Sequence, residues 1–174
     1  EDDGALDLDS YARWVHGIIS PLGVDIVMEP GRFFVGNGGV LLTKTIMVKK
    51  TPEVDFLVVD AAMNDLIRPT LYEAYHEIAP IQQGKEKQAT PHHIVGPVCE
   101  TGDTFAKDRN IQSCDEGELV AIMSAGAYGF VMASNYNTRG LPAQVIVQGK
   151  EHSLIKKRQS FEDLIEGEDI PSWV

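Results

Sequence analysis

Glu29-Pro30-Gly31-Arg32 sets a carboxylate, a glycine and a guanidinium within four positions. Arginine offers a planar fork of donors to a carboxylate or phosphate, and glycine lets the backbone approach an anion closely. The glutamate can meet a cationic ring nitrogen. The plainer reading is a surface turn with an ordinary Glu–Arg ion pair. Arg68 and Tyr72 stand four apart, so on a helix they share a face and can grip a carboxylate together. The plainer alternative is an exposed arginine beside a half-buried tyrosine. Cys99-Glu100-Thr101-Gly102-Asp103 puts a thiol next to a carboxylate in a turn. Such a thiol can deliver a proton to a carbanion, and the carboxylate can bind an amine. Free cysteine more often ends as a small buried hydrophobe, which is the reading given to Cys114. In Ser124-Ala125-Gly126-Ala127-Tyr128-Gly129 the small residues leave room for a ligand or a second backbone, and Tyr128 supplies one hydroxyl. A close-packed β-turn with a core tyrosine explains it equally. Asn135-Tyr136-Asn137-Thr138-Arg139 is open to either reading.

Position along the chain says which elements must carry these groups. Residues 1–9 are acidic and read as mobile. Ser10 reads as an N-cap, with Tyr11, Trp14, Val15, Ile18 and Ile19 at helical spacing and Pro21 and Gly23 ending the helix. Val24–Met28 then reads as a short parallel strand with Glu29–Arg32 as the turn at its C-terminal end, where α/β folds place their sites. One such unit cannot bury both of its faces. From Val40 the character becomes β. Strands are expected at 40–50, 56–60, 93–98, 118–124, 143–147 and 152–156, a helix from Pro69 to Ile78, a polar loop at 82–91 and a short helix at 161–166. The expected fold class is α+β, mainly β. One αβ unit, a piece of something larger, is followed by a C-terminal β-barrel or sandwich. The chain shows no internal repeat.

Composition narrows the partners. The chain has 174 residues, 43% of them hydrophobic, enough for a packed core. A net charge of −11 argues against nucleic acid, whose phosphates need a basic face, while two or three local arginines still serve a small anion. Two cysteines outside any CxxC pair, with no signal peptide, suggest a reducing cytoplasm. No apolar run approaches the roughly 18–20 residues of a membrane span. The five histidines have no metal-site spacing, so no metal is expected. The first residue is not methionine, so the natural N-terminus is expected to lie elsewhere.

Taken in order, EPGR, VDAAMNDLIRPTLYEAYHEI, VGPVCETGD, SAGAYG and NYNTR resemble the C-terminal part of the diaminopimelate decarboxylases, from about Ser10 to Trp173. Ornithine decarboxylases share EPGR but differ around the cysteine. The resemblance implies a pyridoxal 5'-phosphate (PLP) enzyme with a (β/α)8 barrel and a C-terminal β-barrel. On this chain, 1–39 would be the end of the first and 40–174 the second. It implies that Glu29 faces the pyridine nitrogen, with Gly31 and Arg32 at the phosphate and substrate. Arg32, Arg68 and Tyr72 would hold the carboxylate that is not lost, and Tyr128 would bond the phosphate or substrate. Cys99, the proton donor, and Glu100, at the amino end, would reach into the partner's site of a homodimer. The family's cofactor-binding lysine, the histidine over the ring and the glycine-rich phosphate loop have no counterpart here. The chain alone is therefore expected neither to hold PLP covalently nor to decarboxylate. Two alternatives compete: a decarboxylase of another basic amino acid or polyamine precursor, and a non-catalytic β-barrel dimerisation module.

Overall fold

The structure, a computed structural model, describes residues 6–82, 88–112 and 114–174. It divides into two compact units, Glu1–Pro30 and Gly31–Val174.

In the first unit, helix α1 (Leu8–Ile19) is capped by Asp7, whose side chain accepts from the Asp9 and Ser10 amides. The cap is three residues earlier than Ser10. A carboxylate accepts hydrogen bonds from the first-turn amides and also favours the positive end of the helix, so Asp7 wins. A 3-10 turn, Ser20–Leu22, and Gly23 at φ 63° close the helix. Val24–Met28 is not a strand here: no neighbour pairs with it among the described residues. A strand exists only through its ladder, whatever its β-branched content. The expected turn at Arg32 is also corrected. Gly31 opens a short helix, α2 (Gly31–Val35), in the second unit.

The second unit is built on strands β1 (Leu41–Lys49), β2 (Asp55–Val59), β3 (Ile78–Pro80), β4 (Ala89–Val95), β5 (Thr104–Gln112) and β6 (Leu119–Ile122). They form one sheet in the order β3-β6-β1-β2-β4-β5. All pairs are antiparallel except β2 with β4, whose connection carries α3 (Arg68–Tyr72) and β3. The sheet curls until β5 approaches β3, where Arg109 donates to the His76 carbonyl at 2.9 Å. This nearly closed barrel encloses Leu57, Leu66, Ile94, Phe105, Val120 and Ile122. Cys114 is 1% exposed in the same core, as read from sequence. Strands β7 (Gln144–Gln148) and β8 (Glu151–Lys156) pair only with each other, and α4 (Phe161–Ile165) starts with a Ser160–Asp163 capping box.

One expectation in this unit fails, one holds only in part, and one strand was not read. The helix from Pro69 ends at Tyr72, because Glu73 turns left-handed at φ 52°, and Ile78 belongs to β3. Of the loop at 82–91, residues 83–87 lie outside the described residues and 89–91 belong to β4. Strand β5 has no clean alternation in sequence. Asp108 sits at φ 49° in an irregular stretch of the ladder, which breaks the period.

Candidate functional site

Helix α3 begins with an arginine that its surroundings bury. Pro69 fits the first helical turn, and the chain then packs Arg68 to 7% exposure while leaving Tyr72 58% exposed. This inverts the plainer reading of that pair. Arg68 Nη1 donates to His76 Nε2 at 3.1 Å, and the other ring nitrogen, Nδ1, meets the Met123 carbonyl at 2.8 Å. Arg68 Nε is buried and has no partner among the described residues. A buried guanidinium with an unsatisfied donor is costly unless a ligand completes it.

The strand end after β6 brings in the next groups. The Ala125 amide donates to the Gly39 carbonyl, the Gly126 amide to the Gly36 carbonyl, and Ser124 Oγ to Asn37 Oδ1. A Cβ on Gly126 would collide with the Val35 carbonyl, so the two backbones touch only because that residue is glycine. This docking fixes the end of α2, which carries Arg32, against the segment that carries Tyr128. Tyr128 itself is held at φ 57°, a rare conformation for a bulky residue and one that concentrates at functional sites. Arg32, Tyr72 and Tyr128 all lie within electrostatic reach of Arg68. Burial first, then Arg32, lowers the Arg68 pKa, and the two phenols oppose that. His76 is lowered by burial first and by Arg68 and Arg32, against the pull of the Met123 bond. Two guanidinium groups and two phenols thus interact electrostatically, and one of the guanidiniums carries a donor without a partner among the described residues. That set suits an anion, either carboxylate or phosphate.

Cys99 and Glu100 lie on the loop between β4 and β5, and both are exposed. The loop is anchored from below. Asp103 is 3% exposed and its carboxylate accepts from the Met63 amide at 2.7 Å and the Val98 amide at 2.8 Å. Burial raises its pKa, and the two amides work against the shift. Thr70 of α3 donates to the Gly102 carbonyl at 2.5 Å. Glu100 accepts from the Tyr136 hydroxyl at 3.3 Å and from the Gly102 amide at 3.2 Å. Arg139 of the NYNTR stretch holds Asn64 Oδ1 and the Asp60 carbonyl and sits 3.5 Å from Asp65. That stretch is therefore a clamp on the turn before α3.

Glu29 is exposed and belongs to the first unit, while Gly31 opens the second. Among the described residues no cluster of His, Cys, Asp or Glu could hold a metal ion, and no helix is long and apolar enough to cross a membrane. Sequence reasoning passed over His76 and Thr70, and quoted Asp103 and Tyr136 only as members of the CETGD and NYNTR stretches. His76 was weighed only as a metal ligand. Asp103 and Tyr136 carried no role of their own there, Thr70 read as part of the helix from Pro69, and nothing in their spacing announces a partner far along the chain.

A family model for the C-terminal sheet domain of pyridoxal-dependent decarboxylases matches residues 15–126. The chain belongs to this family. It is 47% identical over 167 residues to the diaminopimelate decarboxylase of Zymomonas mobilis, covering 96% of this chain and 39% of that protein. It is 48% identical to that of Neisseria meningitidis serogroup B, covering 97% and 40%. In structure it resembles the Helicobacter pylori diaminopimelate decarboxylase solved with L-lysine, with a TM-score of 0.86, 37% identity and coverage of 95% and 41%. The chain thus spans about two fifths of the length of these relatives. The family depends on pyridoxal phosphate. The unsatisfied Arg68 Nε beside Arg32 and two phenols fits the anionic groups that such a cofactor and its amino-acid substrates carry.

Proposed function

We propose that the whole protein containing this chain decarboxylates meso-2,6-diaminopimelate to L-lysine and CO2. The observation that carries the reading is the buried Arg68, with an unsatisfied donor, next to Arg32, Tyr72 and Tyr128. A substrate that keeps a second carboxylate after losing the first needs such a grip, and an ornithine-type substrate has nothing to offer it. The relatives named diaminopimelate decarboxylase support the same choice.

Pyridoxal phosphate, when bound, supplies the electron sink for the carbon–carbon bond pair. The roles of this chain's residues are those the resemblance implies, and the residue types suit them. Glu29 would meet the ring nitrogen and keep it protonated, and Gly31 would let the backbone come close to the phosphate. Tyr128 donates to the phosphate or the substrate. Arg32, Arg68 and Tyr72 hold the retained carboxylate. Glu100 holds the distal amino group, with Tyr136 fixing its second oxygen. Cys99 carries the proton that replaces CO2: the carbon keeps the pair from the broken bond, takes the proton from Sγ, and the thiolate recovers one from solvent. By the resemblance, Cys99 and Glu100 reach into the active site of a second copy and the working form is a homodimer; the exposure of both residues is compatible with this. Residues 1–39 complete the cofactor barrel, 40–174 form the β domain, and the enzyme works in the cytoplasm. The 174-residue chain by itself is inactive.

The test is CO2 release by the whole protein from meso-diaminopimelate, L-lysine, L-ornithine and L-arginine. Only the first should turn over efficiently. Arg68→Ala should raise KM roughly 10- to 100-fold, the loss of a charged hydrogen bond. Cys99→Ala should lower kcat roughly 100-fold or more, as for removal of a general acid. Preference for L-ornithine or L-arginine, or an unchanged KM in Arg68→Ala, would overturn the assignment.

A further inference from the structure

His76 lies outside every role given above, yet it is 1% exposed and sits between two motifs. Its two ring contacts fix its protonation. A guanidinium can only donate, so the nitrogen facing Arg68, Nε2, must offer a lone pair. A carbonyl can only accept, so the nitrogen facing Met123, Nδ1, must carry the hydrogen. The ring is therefore neutral, with its proton on Nδ1. Its backbone is pinned as well: Arg109 donates to the His76 carbonyl and stacks 4.1 Å from the centre of the Tyr75 ring.

We propose that His76 is the positioning residue that orients Arg68 for the retained carboxylate of the substrate. The proposal rests on the functional reading above. Its physical content is that a neutral acceptor aims the guanidinium without cancelling its charge. A carboxylate at this position would aim Arg68 equally well, but would compete with the substrate for it. The hydrogen bond through Nη1 restrains the guanidinium and leaves its other nitrogens outside the His76 contact. The ring also ties Arg68 to Met123, the residue before the Ser124–Gly129 segment, so the arginine and Tyr128 are held in one frame.

Two measurements test this. In this chain, a long-range 1H–15N spectrum of its five histidines should show His76 with the proton on Nδ1. A proton on Nε2, or a doubly protonated ring near neutral pH, would overturn the proposal. In the whole holoenzyme, His76→Asn keeps an amide near the Nδ1 position but removes the acceptor for Arg68. His76→Gln places a carbonyl near the Nε2 position and restores it. His76→Asn should weaken competitive inhibition by L-lysine about tenfold, the usual weight of one hydrogen bond to a charged group. It should leave inhibition by cadaverine, which has no carboxylate, unchanged. His76→Gln should recover most of the loss. Equal losses for both inhibitors, or none, would refute a positioning role. If His76→Asn does not fold, the spectrum and the His76→Gln inhibition constants still decide. A whole protein that neither turns over meso-diaminopimelate nor binds L-lysine would sink the substrate assignment and, with it, the carboxylate role of His76. The spectrum would still report the tautomer, so the two failures can be told apart.

Discussion

Residues 6–30 and the six-stranded sheet contain similar hydrophobic residues and use them in opposite ways. In the sheet, Leu57, Val59, Ile94, Val120 and Ile122 are fully buried. Among the described residues of the first unit nothing is buried: Trp14, Leu22, Val24 and Val27 are each more than half exposed. The helix of that unit forms all the same, because a helix satisfies its own backbone and Asp7 caps it. The strand expected at Val24–Met28 does not form, because its hydrogen bonds must come from other strands. Apolar surface left open in this way is the usual mark of a face that packs against more protein.

Several substitutions would sharpen or break this contrast. The largest effect is expected in the sheet core. Leu57→Ala should cost about 2–5 kcal/mol of stability in chemical denaturation of this chain. A loss as small as that of a surface change would mean the sheet is not the cooperative unit. Next comes the anchor under the cysteine loop. Asp103→Ala strands the Met63 and Val98 amides, at about 1–3 kcal/mol for each donor left buried, and amide exchange at Val98 should accelerate. An unchanged exchange rate would show that Asp103 does not hold the loop.

A smaller effect should appear on acidification. Burial, with Arg68 and Arg32, holds the His76 pKa below the ordinary histidine value. Between those two values the unfolded chain binds more protons than the folded one, so stability falls as pH falls. The contribution is complete above the unfolded value and is lost on passing down through the folded one. Thermal melts from about pH 7 to about pH 5 should therefore show a steeper loss of Tm for the wild type than for His76→Gln, given an unfolded histidine pKa of about 6.5. Parallel losses would count against a neutral His76. The smallest effect is expected in the first unit. Val27 is 88% exposed, and Val27→Ser should change stability by no more than about 0.5 kcal/mol. It should instead reduce self-association measured by sedimentation. A large stability loss there would erase the difference between the two regions.

Much of this was legible along the chain, for a local reason in each case. The β character after Val40, the strands near 143–147 and 152–156 and the short helix near 161–166 all follow from short-range period and turn residues. Arg32, Arg68, Tyr72 and Tyr128 were singled out by motif order and the family resemblance it carries. Strand β5 was not legible, because an irregular ladder at Asp108 spoils its alternation. The length of α3 was not legible either, since the residue that stops it is a glutamate at positive φ rather than a glycine or proline.

Sequence alone thus determined which chemical groups the protein owns, in what order, and which short elements carry them, because those properties depend on neighbours within a few residues. The tertiary structure decided that Arg68 is buried and incomplete, that His76 is its neutral acceptor, and that Asp103 and Thr70 hold the cysteine loop. These facts depend on burial and on partners as many as 40 residues apart, and no periodicity encodes such contacts.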